Sequence, residues 1–124
     1  MEVRRVLLID DNDDQRSILA SALRSRGWTV EAARNGAQGI AAAQRAQPEV
    51  VLTELILPDV RGFDYARSLR SMVDHDLVVI AVTRIPEELH RRALSAGFDL
   101  IVRKPLEADE LCRRLFDLRA ARAS

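Results

Sequence analysis

Lysine is nearly absent from this chain. Of nineteen basic residues eighteen are arginine, and Lys104 is the one lysine. An arginine and alanine bias can follow from genome composition alone. A lysine retained against it points to a need for a compact charge on a flexible stem, which the planar guanidinium cannot supply. Cysteine is as scarce: Cys112 stands alone, which excludes an internal disulfide. A single cysteine in a helical stretch reads as a small hydrophobe before it reads as a reactive thiol. There is no excess of either sign, since nineteen acidic residues cancel nineteen basic ones. That removes the electrostatic case for bulk binding to nucleic acid or to an anionic membrane. Long apolar runs are missing too. Met1-Glu2-Val3-Arg4-Arg5 leads into a short apolar stretch and then carboxylates, which is neither a signal peptide nor a membrane span. The expected location is cytoplasmic. No repeat, low-complexity tract or linker is visible.

What is present suits a single domain over residues 1–124. At that length one core buries roughly two thirds of the surface exposed by the unfolded chain, and no staple is required. The hydrophobic fraction of 48% supplies such a core.

Strand and helix patterns alternate along the chain. Val6-Leu7-Leu8-Ile9 is wholly apolar, as a strand buried on both faces must be. From about Asp13 to Arg26, Ile18, Leu19, Ala22 and Leu23 recur at helical spacing, and Gly27 ends the helix. Trp28 to Ala32 reads as a weaker strand. Asn35 to Gln47 reads as an alanine-rich helix stopped by Pro48. Glu49 to Thr53 is a third strand. A loop with Pro58, Asp59 and Gly62 follows, then a helix from about Gly62 to Met72. Leu77 to Val82 is the clearest strand. Pro86 suits the first turn of a helix running to Gly97, with Glu87 and Glu88 placed for its dipole. Asp99 to Arg103 is a short strand, and Glu107 to Arg119 a last helix with Leu111, Leu115 and Leu118 on one stripe. Five strands alternating with five helices imply an α/β fold, with a parallel sheet covered on both faces. Right-handed crossovers favour the flavodoxin-like (βα)5 order 2-1-3-4-5. Sites in such sheets lie beyond the carboxyl ends of the strands.

Those ends form a coherent set. Strand 1 ends in Asp10 and Asp11, strand 3 in Glu54, strand 4 in Thr83 and strand 5 in Lys104-Pro105. An acidic residue in such a place often only caps the next helix, and Asp11 or Asn12 suits that role. The cluster argues for more. In the order 2-1-3-4-5, strands 1 and 3 are neighbours, so three carboxylates are expected to converge. Two carboxylates about 5 Å apart repel by roughly 3 kcal/mol at an effective dielectric of about 20. A compensating cation is then expected: Mg²⁺, which takes oxygen ligands and keeps several waters, or Lys104.

At these residues the chain resembles the receiver domains of bacterial two-component response regulators, over essentially its whole length. Asp10-Asp11 look like the family's acidic pair, and Leu55-Ile56-Leu57-Pro58 with Gly62 like the loop after its phosphoacceptor. Thr83 looks like its strand 4 hydroxyl residue and Lys104-Pro105 like its Lys-Pro, with Gly97 seven residues before the lysine. The resemblance implies a phosphorelay signalling module rather than an enzyme, with no organic cofactor. It implies a Mg²⁺ held by Asp10, Asp11, Glu54 and the carbonyl of Ile56, a phosphoryl contact from Thr83, and a second from Lys104.

The departure lies at the centre. Counting back from Pro58, the phosphoacceptor position is Glu54 where the family has aspartate. One more methylene moves the carboxylate by roughly 1.5 Å, and a misplacement of about 1 Å costs on the order of 10²-fold in a reaction governed by positioning. Glu54 is also expected to crowd the phosphoryl and metal volume, leaving Mg²⁺ binding weakened. Ile101 stands where the family usually has the aromatic of its threonine-coupled switch, and Arg61 where an acidic residue is common. Direct contact of Glu54 with Lys104, fixing one state, is a further expectation. Its single negative charge falls short of the roughly −1.5 to −2 of a phosphoryl group.

The function expected is a receiver-like module that binds protein partners without phosphorylation. The resemblance points to the face made by helix 4, strand 5 and helix 5, with a histidine kinase or an attached output domain as partner. The alternative is a working Mg-dependent receiver phosphorylated on Glu54 or on a neighbour such as Asp59. A flavin or nucleotide site is disfavoured, because Asp10-Asp11-Asn12-Asp13-Asp14 would repel phosphate where such sites present backbone N–H groups. His75, in Asp74-His75-Asp76, reads as solvated. His90-Arg91-Arg92 reads as a solvated basic face, Trp28 as a packing residue and Tyr65 as a surface or packing residue.

Overall fold

The computed structural model describes residues 4–123, with the backbone alone over 119–123. Five strands form one parallel sheet: β1 (Arg5–Ile9), β2 (Thr29–Ala33), β3 (Val50–Thr53), β4 (Val78–Thr83) and β5 (Leu100–Arg103). Their order is β2-β1-β3-β4-β5, the doubly wound arrangement expected from the alternation. The helices are α1 (Asp13–Ser25), α2 (Gly36–Ala46), α3 (Tyr65–Arg70), α4 (His90–Ser95) and α5 (Ala108–Ala123).

The continuous apolar runs of the inner strands are explained by what lies on each side. Successive side chains on a strand point to opposite faces. Leu7, Ile9, Val51, Val79 and Ala81 therefore enter one core, which Ala42 and Ala43 of α2, Leu69 of α3 and Ala93 of α4 complete. Val6, Leu8, Val50, Leu52, Ile80 and Val82 enter the other, closed by Ala20 and Leu23 of α1 and by Leu111 and Leu115 of α5. With both faces covered, the central strands are apolar up to the threonines at their carboxyl ends, Thr53 and Thr83, and the alternation of a half-exposed sheet is absent.

The helix ends obey local chemistry. Asn12 and Asn35 accept from Gln15 and Gln38 backbone N–H groups at 2.9 and 2.8 Å, capping α1 and α2. Gly27 leaves α1 at a φ of +92°. Its N–H donates to the Arg24 carbonyl and that of Trp28 to the Leu23 carbonyl, both at 3.1 Å, a Schellman motif. This moves the start of β2 one residue past the expected Trp28, which is buried against the α1 core. Two helices are shorter than their patterns predicted. The helix expected from about Gly62 begins at Tyr65, because Gly62 takes a φ of +72° and bends the chain first. The helix expected from Pro86 opens instead as a 3-10 turn over Glu87–Leu89 and becomes α-helical only at His90. The last helix runs beyond Arg119 to Ala123.

One close approach fixes α2 on the sheet. A Cβ at Gly39 would overlap the Tyr65 hydroxyl and the Ile9 side chain. Tyr65 is buried, not a surface residue, and its hydroxyl donates to the Gly36 carbonyl at 2.7 Å. Overpacking of this kind costs about 1–3 kcal/mol. Gly39→Ala is expected to lower the urea midpoint by about that free energy, despite alanine's better helix propensity. An unchanged or raised midpoint would show that α2 moves away freely.

Candidate functional site

The carboxyl ends of β1, β3 and β5 converge on one ion cluster. β1 delivers Asp10, β3 delivers Glu54, and the turn after β5 delivers Lys104. The Lys104 ammonium lies 2.9 Å from Asp10 Oδ2 and 3.2 Å from Glu54 Oε1. All three side chains are about nine-tenths buried, at 10% exposure for Lys104 and 9% for each carboxylate. Two carboxylates held this close are tolerable because one compact cation bridges them, and a primary ammonium meets both in a space where a guanidinium would be hard to seat. The Lys104 main-chain N–H also donates to the Thr83 carbonyl at 3.0 Å, tying the end of β5 to β4. The Lys104–Pro105 peptide bond is cis.

Glu54 does not project into the mouth of the site. Its longer side chain folds back on the following loop, where Oε2 accepts from the N–H groups of Leu55 at 2.6 Å and Ile56 at 3.3 Å. Thr53 Oγ1 donates to the Glu54 carbonyl at 2.8 Å and is fully buried beneath it. The expectation that Glu54 crowds the open volume is therefore corrected. The extra methylene gives it enough slack to reach its own backbone, so both oxygens are engaged.

The expected convergence of three carboxylates is corrected as well. Asp10 Oδ1 accepts from the Asn12 N–H at 2.9 Å, a tight turn that swings the intervening Asp11 outward, where it is exposed. Asn12, not Asp11, caps α1. Among the described residues no group of three or more His, Cys, Asp and Glu side chains is gathered at one point. Of the ligands expected for Mg²⁺, Asp10, Asp11, Glu54 and the Ile56 carbonyl, Asp11 faces solvent and both Glu54 oxygens are engaged by Lys104 and backbone N–H groups.

Thr83 ends β4 where the alternation predicted it. It is fully buried, and its hydroxyl has no hydrogen-bond partner among the described residues. Ile101 pairs with Ala81, two steps before the Thr83–Arg103 pair, and packs half-buried against the α2–α3–α4 core. Asp59 serves a structural end. Its carboxylate accepts from the N–H groups of Gly36 at 2.7 Å and Ala37 at 2.9 Å, bracing the first turn of α2 from the β3–α3 loop. Those bonds, the Gly36 one foremost, hold its carboxyl below the usual 3.8. A carboxylate so engaged is a poor candidate for the alternative phosphoacceptor. The Asp59–Gly36 bond escaped the sequence reading because the partners are 23 residues apart and the donor is a backbone N–H that no side chain advertises. His75 is exposed, as expected, and also contacts the Pro48 carbonyl at 2.7 Å. Cys112 is half-buried against the α1–α5 core, and burial pushes its thiol up, as an inert cysteine requires.

The profile described as "Response regulator receiver domain" matches residues 6–116. The chain belongs to this family. The receiver is 36% identical over 110 residues to the probable transcriptional regulatory protein TcrX of Mycobacterium tuberculosis, covering 89% of this chain and 47% of that protein. It spans about half the length of the curated relatives it matches. Among solved structures, the receiver is 27% identical to the signal receiver domain of a response regulator from Bermanella marisrubri, with a TM-score of 0.84 over 94% of this chain and 98% of that one. The same fold, at 19% identity and a TM-score of 0.83 over 93% and 88%, occurs in a CheX-CheY complex from Borrelia burgdorferi solved with BeF3 and Mg²⁺. No helix among the described residues is long and apolar enough to cross a membrane.

Removing one partner of a buried ion pair strands the other. Lys104→Met is expected to cost about 3 kcal/mol, read as a lowered urea midpoint at neutral pH. A loss below about 1 kcal/mol would show that the cluster is open to water. For Asp59 the sign follows from its lowered folded value. Its contribution is present above the ordinary carboxylate value and is lost as pH falls through the lower folded one. The difference in Tm between the parent and Asp59→Asn is expected to be constant near neutrality and to narrow as the pH falls below about 4. A difference that widens on acidification would contradict the assignment.

Proposed function

We propose that this receiver acts mainly as a phosphorylation-independent protein-interaction module of two-component signalling. The observation that carries the reading is the engagement of Glu54: one oxygen is held by Lys104 and the other by the Leu55 and Ile56 N–H groups. A carboxylate with both oxygens occupied is badly placed for in-line attack on a phosphoryl donor, and that reaction depends on placement above all. Mg²⁺ binding is weakened for the same reason, with Asp11 turned outward and Lys104 already neutralising the pair. The Lys104 bridge holds β5 and the segments beside it in one state.

The partner surface in this reading is the α4–β5–α5 face. It offers exposed Arg91, Arg92, Arg103, Glu110 and Arg113, with half-buried Leu89 and His90 between them and the core. The partner is a protein: a histidine kinase, or an output segment such as a transcriptional regulator joins to its receiver. A cytoplasmic, bacterial setting accompanies this.

A second reading, a phosphorylatable Mg-dependent receiver, is favoured by one observation. The Thr83 hydroxyl is buried without a partner while Lys104 stands in place, as a phosphoryl contact would need. Amide NMR separates the two. With Mg²⁺ and beryllofluoride together, the resonances of Thr83, Ile101 and Lys104 are expected to stay where Mg²⁺ alone leaves them. Glu54→Asp, with a shorter side chain that cannot curl back, is expected to restore the shifts, along with a phosphoryl mass gain from a small acyl phosphate. Shifts in the parent chain would overturn the first reading.

A further inference from the structure

Beneath the ion cluster, on the α1–α5 side of the sheet, lies a cavity of about 170 Å³. Its walls are apolar: Leu8, Leu52 and Val82 from the sheet, Leu19 from α1 and Leu106 from the segment after β5, with Ile18 at its rim. A cavity of about 150 Å³ with such walls holds benzene in an engineered protein, so the volume suits a ring or a short branched chain. The cavity is not uniformly apolar, for it also reaches Asp10, Glu54 and Lys104.

The charge at that end has a definite sign. Two carboxylates share one ammonium. Arg16 donates to the Asp10 main-chain carbonyl at 2.7 Å, but its own charge is matched by Asp13 at 2.5 Å. One negative charge is left over, in side chains that are nine-tenths buried and therefore weakly screened. An acid of suitable shape would add a third carboxylate to this end. A neutral body would gain only the apolar walls. A primary amine gains both.

We propose that this cavity is a binding site for a small primary amine with an apolar body of about six to eight non-hydrogen atoms. The body lies among Leu8, Leu19, Leu52, Val82 and Leu106, and the ammonium faces the Asp10 and Glu54 carboxylates. Occupancy places a second cation beside the Lys104 bridge and so bears directly on the one contact that joins β1, β3 and β5. The apolar walls stand whether or not Glu54 accepts a phosphoryl group, because they belong to the core rather than to the open mouth.

Methyl NMR on the chain labelled at Ile, Leu and Val tests this, with benzylamine, toluene and phenylacetate as probes. Benzylamine is expected to shift the methyls of Leu8, Leu19, Leu52, Val82 and Leu106 saturably. It should bind about tenfold more tightly than toluene, while phenylacetate gives no saturable shift. Leu19→Phe, which fills the cavity, is expected to abolish the shifts. Leu106→Phe, on the half-buried segment after β5, gives the same readout should the first variant fail to fold. No saturable shift with any probe would overturn the site. Equal affinity for benzylamine and toluene, or binding of phenylacetate as tight as the amine's, would overturn the assignment to amines. Benzylamine shifts that persist in a folded filled variant would place the ligand elsewhere and also overturn it.

Discussion

Lys104, held between Asp10 and Glu54, is the contact on which the functional end of this domain depends. Three strands end at it, and each contributes a group that would be costly to bury alone. A carboxylate in that position needs a cation, and the chain provides one lysine among eighteen arginines to do the work. An ammonium can approach two oxygens from different strands without demanding a common plane, which a guanidinium fork does. The identity of the residue and the geometry of the strand ends thus explain one another.

Glutamate at the end of β3 changes what that bridge is for. A shorter carboxylate there would point outward, with oxygens left to face an incoming group. Glu54 instead closes a small ring with its own backbone and hands its second oxygen to Lys104. The difference is one methylene, yet it turns an open acceptor into a satisfied structural group. Asp59 has a comparable fate, since its two oxygens are taken up by the N-terminus of α2.

Much of this was legible in the residues. The apolar runs of β1, β3 and β4 and the helical stripes of α1 and α5 exposed the doubly wound sheet, because burial on both faces keeps strands apolar up to their ends. The strand ends then named Asp10, Glu54, Thr83 and Lys104 together. What could not be read was side-chain direction. Whether Asp11 turns in or out is settled by an Asx turn at Asp10, and whether Glu54 extends or curls by two backbone N–H groups that every sequence has. The shortened α3 and the 3-10 opening of α4 were hidden for a similar reason. Helical periodicity records which face is buried, while the start of a helix is set by local φ and ψ, as at Gly62.

The sheet also works as a partition. Its two faces feed separate cores, one under α2, α3 and α4 and the other under α1 and α5. Side chains in one core have no path to the other except through the strands. A change of side-chain volume in one core is therefore met first by the helices on that same side. At the rim the end of β5 is tied to β4 by the Lys104 N–H to Thr83 carbonyl bond. That bond and the Lys104 ion pairs with Asp10 and Glu54 make the rim the place where the ends of β1, β3, β4 and β5 are tied together.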